Sequence, residues 1–306
     1  MNILHMKYAV EVADAGSINK AAELLYIAQP NLSRCIKSLE AELGIAIFDR
    51  SSKGMGLTPE GEEFIGYAKN ILSRIDDVEK MYKEGKQAKQ KFSISVPRSS
   101  YISHAFQKFT ENLGEDPVEI FYKETNSSRA IKNILTADYK LGIIRYAVNY
   151  DPYFKTSLEE KNLEGGVIAE FHYVLLTHKD SDLAKMETVH FSDLTSKIEI
   201  AHADPYVPSL SLSQVRKEEL PSDISRVIYV FERASQYEVL SSNPDTFMWV
   251  SPVPQETLDR YGLVMIDCPD NTKIYKDVLI HHKDYVLTDL DKAFITELSN
   301  SKRQCL

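Results

Sequence analysis

Residues 28–44 read AQPNLSRCIKSLEAELG. Leu32, Ile36, Leu39 and Leu43 recur at steps of four, three and four, one apolar stripe at helical period. The other face carries Pro30, Ser33, Arg34 and Lys37, a row of hydrogen-bond donors behind a proline. Such groups can read a nucleic acid. Gln29 can bridge an adenine with its amide, Arg34 can fork onto a guanine, and Ser33 can take either role. Lys37 suits a phosphate, which positions a helix without specifying sequence. Asn31 shares the first turn and is a further candidate. Periodicity alone leaves a second reading open, a solvated face with no ligand. Cys35 in the same helix reads as a small space-filling residue.

The neighbouring elements are those needed to present that face. A first helix carries Leu4, Tyr8 and Val12 and stops near Gly16. Ser17 is a natural N-cap for a short second helix, INKAAELL, in which Ala21 and Ala22 allow close helix approach. Pro30 is tolerated because the first turn has no use for its missing N–H, and Gly44 ends the helix. Two short helices joined by a tight turn, over about residues 18–37, make a helix-turn-helix whose second helix enters the major groove. Ser17 and Asn19 at the start of the shorter helix are further contact candidates. After Phe48, the stretch DRSSKGMGL reads as a wing, with Arg50 and Lys53 reaching the backbone or the minor groove.

These blocks carry a specific resemblance. AGSINKAAELL, AQPNLSRCIKSLEAELG, IFDR and GLTPEG follow one another over about sixty residues in the order and spacing of the N-terminal domain of LysR-type transcriptional regulators, which this segment resembles. The resemblance implies that Gln29, Pro30, Ser33, Arg34 and Arg50 lie at the DNA surface. It departs from the family at Ala28, where Ser or Thr is frequent, so the helix lacks a side-chain cap worth roughly 1 kcal/mol.

Thr58-Pro59-Glu60 is a helix start: hydroxyl cap, proline at the first position, acid in the first turn. Phe64, Ala68, Ile71, Ile75, Val78 and Tyr82 then fall at alternating steps of four and three, a heptad seam. It reads as a dimer seam rather than a helix packed on its own domain. The family pattern implies the same, a linker helix pairing with that of a second subunit, so that two heads face a partly palindromic site. KEGKQAKQKF ends the helix as a hinge.

From residue 92 short apolar runs alternate with helical patterns: FSISV, ISHAFQKFTENL, VEIFYK, SSRAIKNILTA, LGIIRY. This βαβαβ order implies a parallel sheet with helices on its faces. VIAEFHYVLLTH reads as one long strand. A second α/β set follows, with crossings between lobes expected near residues 165 and 263. The expected fold class is α/β, with a winged helix-turn-helix head of all-α type (residues 1–58), a long linker helix (59–90) and a two-lobed effector domain (91–306). Lobe I is expected at about 91–165 and 263–306 and lobe II at 166–262. The LysR-type effector domain resembles periplasmic binding proteins in this order.

Open α/β sheets bind ligands at the carboxyl ends of their strands. Those ends place Arg98, Ser99 and Ser100 after the first strand, Thr125 and Asn126 after the second, Arg145 in the third, and His202, with Asp204 near it, in the other lobe. Two arginines with hydroxyls and helix N-termini suit a carboxylate or phosphate. The other readings are ordinary helix caps for the hydroxyls, above all Ser127 or Ser128, and structural salt bridges for the arginines.

Composition narrows the rest. The chain has 306 residues, 43% hydrophobic and 26% charged, with net charge −9 concentrated beyond residue 90. No apolar run approaches the ~20 residues of a membrane span. The start MNILHMKYAVEVADAG has no signal-peptide pattern, so a cytoplasmic location is expected. Cys35, Cys268 and Cys305 form no paired motif, and His281 and His282 are adjacent in a strand and face opposite ways, so no metal or cofactor is expected. No HExxH, P-loop or GxSxG occurs. Gly165-Gly166 reads as a lobe crossing and Trp249 as core. The expected partners are double-stranded DNA, a second copy of the chain as dimer or tetramer, a small effector and RNA polymerase. The competing readings are an α/β enzyme, which lacks a visible nucleophile–base or metal constellation, and a solute-binding module.

Overall fold

A computed structural model describes residues 1–51, 54–83, 89–201 and 224–305. It divides into one unit of Met1–Lys89 with the short segment Lys132–Asp138, and another of Gln90–Ile131 with Tyr139–Leu306.

The first unit begins with three helices, α1 (Ile3–Ala15), α2 (Ile18–Leu24) and α3 (Gln29–Leu43). Ala9, Val12, Ala21, Ala22, Leu32, Ile36 and Leu39 bury together, which is the apolar periodicity of the sequence in three dimensions. The Ser17 hydroxyl accepts from the Lys20 amide at 3.5 Å and caps α2. Ala28 offers α3 no side-chain cap, and Gly44 closes it in the left-handed conformation, φ 71°. A hairpin follows, β1 (Phe48–Ser51) and β2 (Gly54–Leu57), in the register Phe48↔Leu57 to Ser51↔Gly54.

Helix α4 (Pro59–Lys83) runs 25 residues, a rod of ~37 Å. The Thr58 hydroxyl accepts from the Gly61 amide at 2.9 Å and donates to the Ala46 carbonyl at 2.6 Å, so one side chain both caps α4 and fastens it to the end of the head. Phe64 and Ile65 join the head core and Ala68 is fully buried. Farther along, Ile71 and Val78 stay exposed and Ile75 is half-buried. The heptad seam is therefore split, its start committed to the chain's own packing.

The second unit contains two five-stranded sheets. The first is built from β3 (Gln90–Val96), β4 (Val118–Glu124), β5 (Leu141–Ala147), β6 (Leu163–His172) and β12 (Ile274–His282), in the order β4-β3-β5-β12-β6. Strand β3 runs parallel to β4 and β5, and β12 is antiparallel to both its neighbours. Helices α5 (Ser100–Glu111), α6 (Ser127–Thr136) and α7 (Asp151–Glu160) link these strands, and α10 (Asp289–Cys305) closes the chain. The second sheet is built from β7 (Val174–His178), β8 (Ile198–Ala201), β9 (Val227–Tyr229), β10 (Thr246–Val250) and β11 (Leu263–Ile266), in the order β11-β7-β10-β8-β9, with α8 (Arg233–Ser242) and α9 (Gln255–Tyr261) between strands.

Two expectations need correction. The run VIAEFHYVLLTH is two strands in different sheets, broken at Tyr173. The crossings consequently fall at Tyr173 and at residues 267–273, not near 165 and 263. The physical reason is pairing: β6 hydrogen-bonds to β12 from His172 back to Leu163, and β11 hydrogen-bonds to β7. Gly165 and Gly166 lie inside β6, opposite Ile280 and Leu279, rather than at a crossing.

Gly61 is the close-packed point of the head. A Cβ there would stand 2.0 Å from the Ile47 carbonyl oxygen, which is backbone and cannot swing away. Gly61→Ala should destabilise the first unit by about 1–3 kcal/mol in urea unfolding of the full chain. Gly114→Ala, where nothing lies within 4 Å, should leave stability unchanged within ~0.5 kcal/mol.

Candidate functional sites: a nucleic-acid interface and a small-molecule cleft

Burial of Leu32, Ile36 and Leu39 fixes the rotation of α3, and Gln29, Pro30, Asn31, Arg34 and Lys37 consequently face solvent, with Ser33 half-buried beside them. Gln29, Arg34 and Lys37 make no side-chain hydrogen bond or ion pair among the described residues. Their donors are open to a ligand. The far end of α3 is fixed by Glu40, whose carboxylate accepts from the Ile47 and Phe48 amides at 2.8 and 3.1 Å. The Ser17 oxygen accepts the α2 cap bond, which leaves its O–H able to donate, and Asn19 is exposed. Arg50 sits in β1 opposite Met55, and Lys53 lies outside the described residues.

The second unit holds a cleft of about 540 Å³, open solvent at its mouth included. One wall comes from the first sheet: Pro97 and Arg98 after β3, Thr125 to Ser127 after β4, and Arg145 in β5. The other comes from the end of β10, Met248 to Ser251, with Tyr173 at the crossing between them. The structure thus brings together Arg98, Thr125, Asn126 and Arg145. His202 and Asp204 lie outside the described residues.

Arg145 does not carry an available charge. Its Nε and Nη2 donate to the two carboxylate oxygens of Asp277 at 2.7 and 2.6 Å, and both side chains are almost wholly buried. Tyr101 donates its hydroxyl to the same carboxylate at 2.5 Å. Burial would lower the guanidinium's pKa, yet the Asp277 charge overrides it and holds it well above its ordinary value. Burial and the same carboxylate push the Tyr101 phenol well above its range, so it stays a donor. The Phe171 ring lies 4.8 Å from the guanidinium carbon. The expectation of two free cations in the cleft is corrected: the salt-bridge reading holds for Arg145, because β5 and β12 pair it directly with Asp277.

Several hydroxyls are also engaged. Ser99 hydrogen-bonds Ser251 at 3.0 Å and Ser100 bonds the Tyr237 hydroxyl, so both join the two lobes and neither is an open ligand group. The Asn126 side chain accepts from the Arg129 amide and caps α6. Ser127 exchanges hydrogen bonds with the Arg145 backbone, 2.8 and 3.0 Å, which docks the start of α6 on β5. At the cleft's edge Arg233 pairs with Glu124 at 2.8 Å and donates to Ser103 at 2.8 Å. Burial raises the Glu124 carboxyl above its ordinary range, against the pull of Arg233 and Arg98. Tyr173, Trp249 and Ser251 were not anticipated as lining residues. Applying the strand-end rule to TFMWVS, as it was applied to the first sheet, would have found the last two.

Among the described residues no His, Cys, Asp or Glu cluster could hold a metal ion, and no helix is long and apolar enough to cross a membrane.

Residues 3–62 match the family described as "Bacterial regulatory helix-turn-helix protein, lysR family". The uncharacterised HTH-type regulator YcgK of Bacillus subtilis is 47% identical over 98 residues, 32% of this chain and 30% of that protein. YofA of the same organism is 22% identical over 97% of this chain and 98% of its own. The full-length structure of LysG from Corynebacterium glutamicum, with arginine bound as effector, superposes with TM-score 0.63 at 12% identity, covering 100% of this chain and 99% of that one. Residues 3–62 are a regulatory helix-turn-helix segment of the lysR family. The LysR-type match with YcgK extends over less than a third of that relative.

The Arg145–Asp277 pair dictates a stability test. Arg145→Ala leaves a buried, unpaired carboxylate and should cost about 3–5 kcal/mol in urea unfolding of the full chain. Replacing both partners by leucine should recover most of that loss. A cost below ~1 kcal/mol for the single change would show that water reaches the pair.

Proposed function

We propose that this LysR-type chain binds a partly palindromic promoter site as a homo-oligomer and that a small effector in the second unit's cleft shifts its DNA-bound arrangement. Residues 1–58 form the DNA-binding domain, with the helix-turn-helix at about 18–37. Residues 59–90 form the linker and dimerisation helix, and 91–306 the effector domain. The observation that carries the reading is the solvent-facing stripe of Gln29, Pro30, Asn31, Ser33, Arg34 and Lys37 above a buried Leu32–Ile36–Leu39 ridge. The α3 N-terminus enters the major groove, where Gln29 and Arg34 meet base edges. Lys37, Ser17 and Asn19 hold phosphates, and Arg50 and Lys53 of the wing reach backbone or minor groove.

Ile71, Ile75 and Val78 of α4 supply the apolar face for a second copy. Tyr82 extends the same sequence pattern, but its side chain lies outside the described residues. Phe64 and Ala68, at the start of the pattern, are already packed within the chain. The effector is small and anionic. Arg98 and the hydroxyl and amide groups of Thr125 and Asn126 favour it, and Arg145 acts by shaping the floor rather than by its charge. The effector acts by population shift, so only a ligand with unequal affinity for the two lobe arrangements regulates. A cytoplasmic setting and contact with RNA polymerase complete the proposal.

Two tests follow the two sites. The double change Gln29→Ala with Arg34→Ala should reduce affinity for an enriched site by about a hundredfold, with unchanged unfolding, since each bidentate base contact is worth ~1–3 kcal/mol. Undiminished specific binding would refute the contact assignment. In a thermal-shift screen of the full chain with small carboxylates and inorganic phosphate, a ligand at a hundred times its Kd should add ~2.7 kcal/mol. The shift should vanish in Arg98→Ala. No shift with any anion would refute the anionic class.

A further inference from the structure

Tyr26 stands in the turn between α2 and α3 with φ 55°. Among the described residues, the other non-glycine positions with positive φ are Asp138 and Asn162, types that tolerate the left-handed region through their short polar side chains. Tyrosine has no such excuse. The turn itself demands the conformation. The Ile27 amide donates to the Ala22 carbonyl at 3.0 Å and the Tyr26 amide to the Glu23 carbonyl at 3.2 Å, the paired bonds of a helix end that normally places glycine at this position.

A large side chain at a glycine position is ordinarily compensated by packing. Here it is not. Tyr26 is 96% exposed, and its side chain makes no hydrogen bond or ring contact among the described residues. A strained backbone that presents an unpartnered aromatic hydroxyl to solvent is the pattern of a residue held for a ligand. Its location names the ligand. Gln29 follows Tyr26 by three positions, so their Cα atoms lie within about 11 Å of each other. The major groove that α3 enters is about 12 Å wide and edged by phosphates, and tyrosine hydroxyls are among the groups that bond them.

We propose that the Tyr26 hydroxyl donates a hydrogen bond to a phosphate at the edge of the groove entered by α3, and so sets the depth and tilt of that helix. This rests on the reading of α3 as the recognition helix. The contact is neutral and bears on the backbone, so it lowers affinity for every sequence alike when lost. It releases no counterion, and the slope of log K against log salt is independent of it.

The test compares the full chain with Tyr26→Phe, Tyr26→Gly and, as control, Gln29→Ala with Arg34→Ala. The probes are duplexes enriched from a random-sequence pool by the unaltered chain, and the starting pool itself. Tyr26→Phe keeps the ring and removes the hydroxyl; it should weaken binding about tenfold on both probes with an unchanged salt slope. Tyr26→Gly should weaken binding at least as much while its melting temperature stays equal or rises, because glycine adopts this φ freely. DNA affinity of Tyr26→Phe equal to that of the unaltered chain overturns the proposal and leaves Tyr26 to a protein partner. If the control also binds both probes normally, the reading of α3 falls with it. If the control alone loses specific binding, only the Tyr26 assignment fails.

Discussion

The geometry of the head depends on how α3 is clamped. Its sequence buries one ridge, which sets rotation, but rotation alone does not set where the helix ends or what it can meet. Two polar contacts do that. The Glu40 carboxylate gathers the Ile47 and Phe48 amides, so the hairpin leaves α3 at a fixed point. Thr58 binds the Ala46 carbonyl and caps α4, and Gly61 lets α4 approach the Ile47 backbone more closely than any side chain would permit. The exposed stripe of α3 is therefore carried by a rigid frame although its own N-terminus, at Ala28, has no side-chain cap.

A comparable constraint organises the effector unit. The Arg145–Asp277 pair, with Tyr101 as a third member, lies beneath the cleft and holds β5, β12 and α5 together. A buried bidentate pair of this kind contributes shape more than net stability. It leaves the cleft floor electrically neutral, so the charge felt by a ligand comes from the rim, where Arg98 shares its surroundings with Glu124 and Arg233. The same rim joins the lobes through Ser99–Ser251 and Arg233–Ser103. The groups proposed to bind an effector thus adjoin the groups that join the lobes, the arrangement that the proposed population shift would use.

The sequence made the head legible because its information is local. The steps of four and three in α3, the Ser17 cap, and Thr58-Pro59 before α4 each act within one turn of chain. Strands were equally readable as apolar runs. Partnerships were not. Asp277 lies 132 residues from Arg145, and no local pattern couples them, so the sequence left Arg145 open between a ligand contact and a structural salt bridge. Ser99 and Ser100 looked like ligand groups because Ser251 and Tyr237 lie in another sheet's elements. The lobe crossing was misplaced for a related reason: VIAEFHYVLLTH is continuous in polarity, and only strand pairing shows that Tyr173 divides it. Tyr26 was silent in sequence, since its backbone conformation has no signature in residue type.

The measurement that bears most directly on this account is enrichment of duplexes from a random-sequence pool by the full, unaltered chain. A head whose α3 reads base edges in a paired assembly should enrich a motif with dyad symmetry, its half-sites separated by a whole number of helical turns of ~10 bp. A pool that stays random through repeated rounds, bound only through salt-sensitive phosphate contacts, would contradict it.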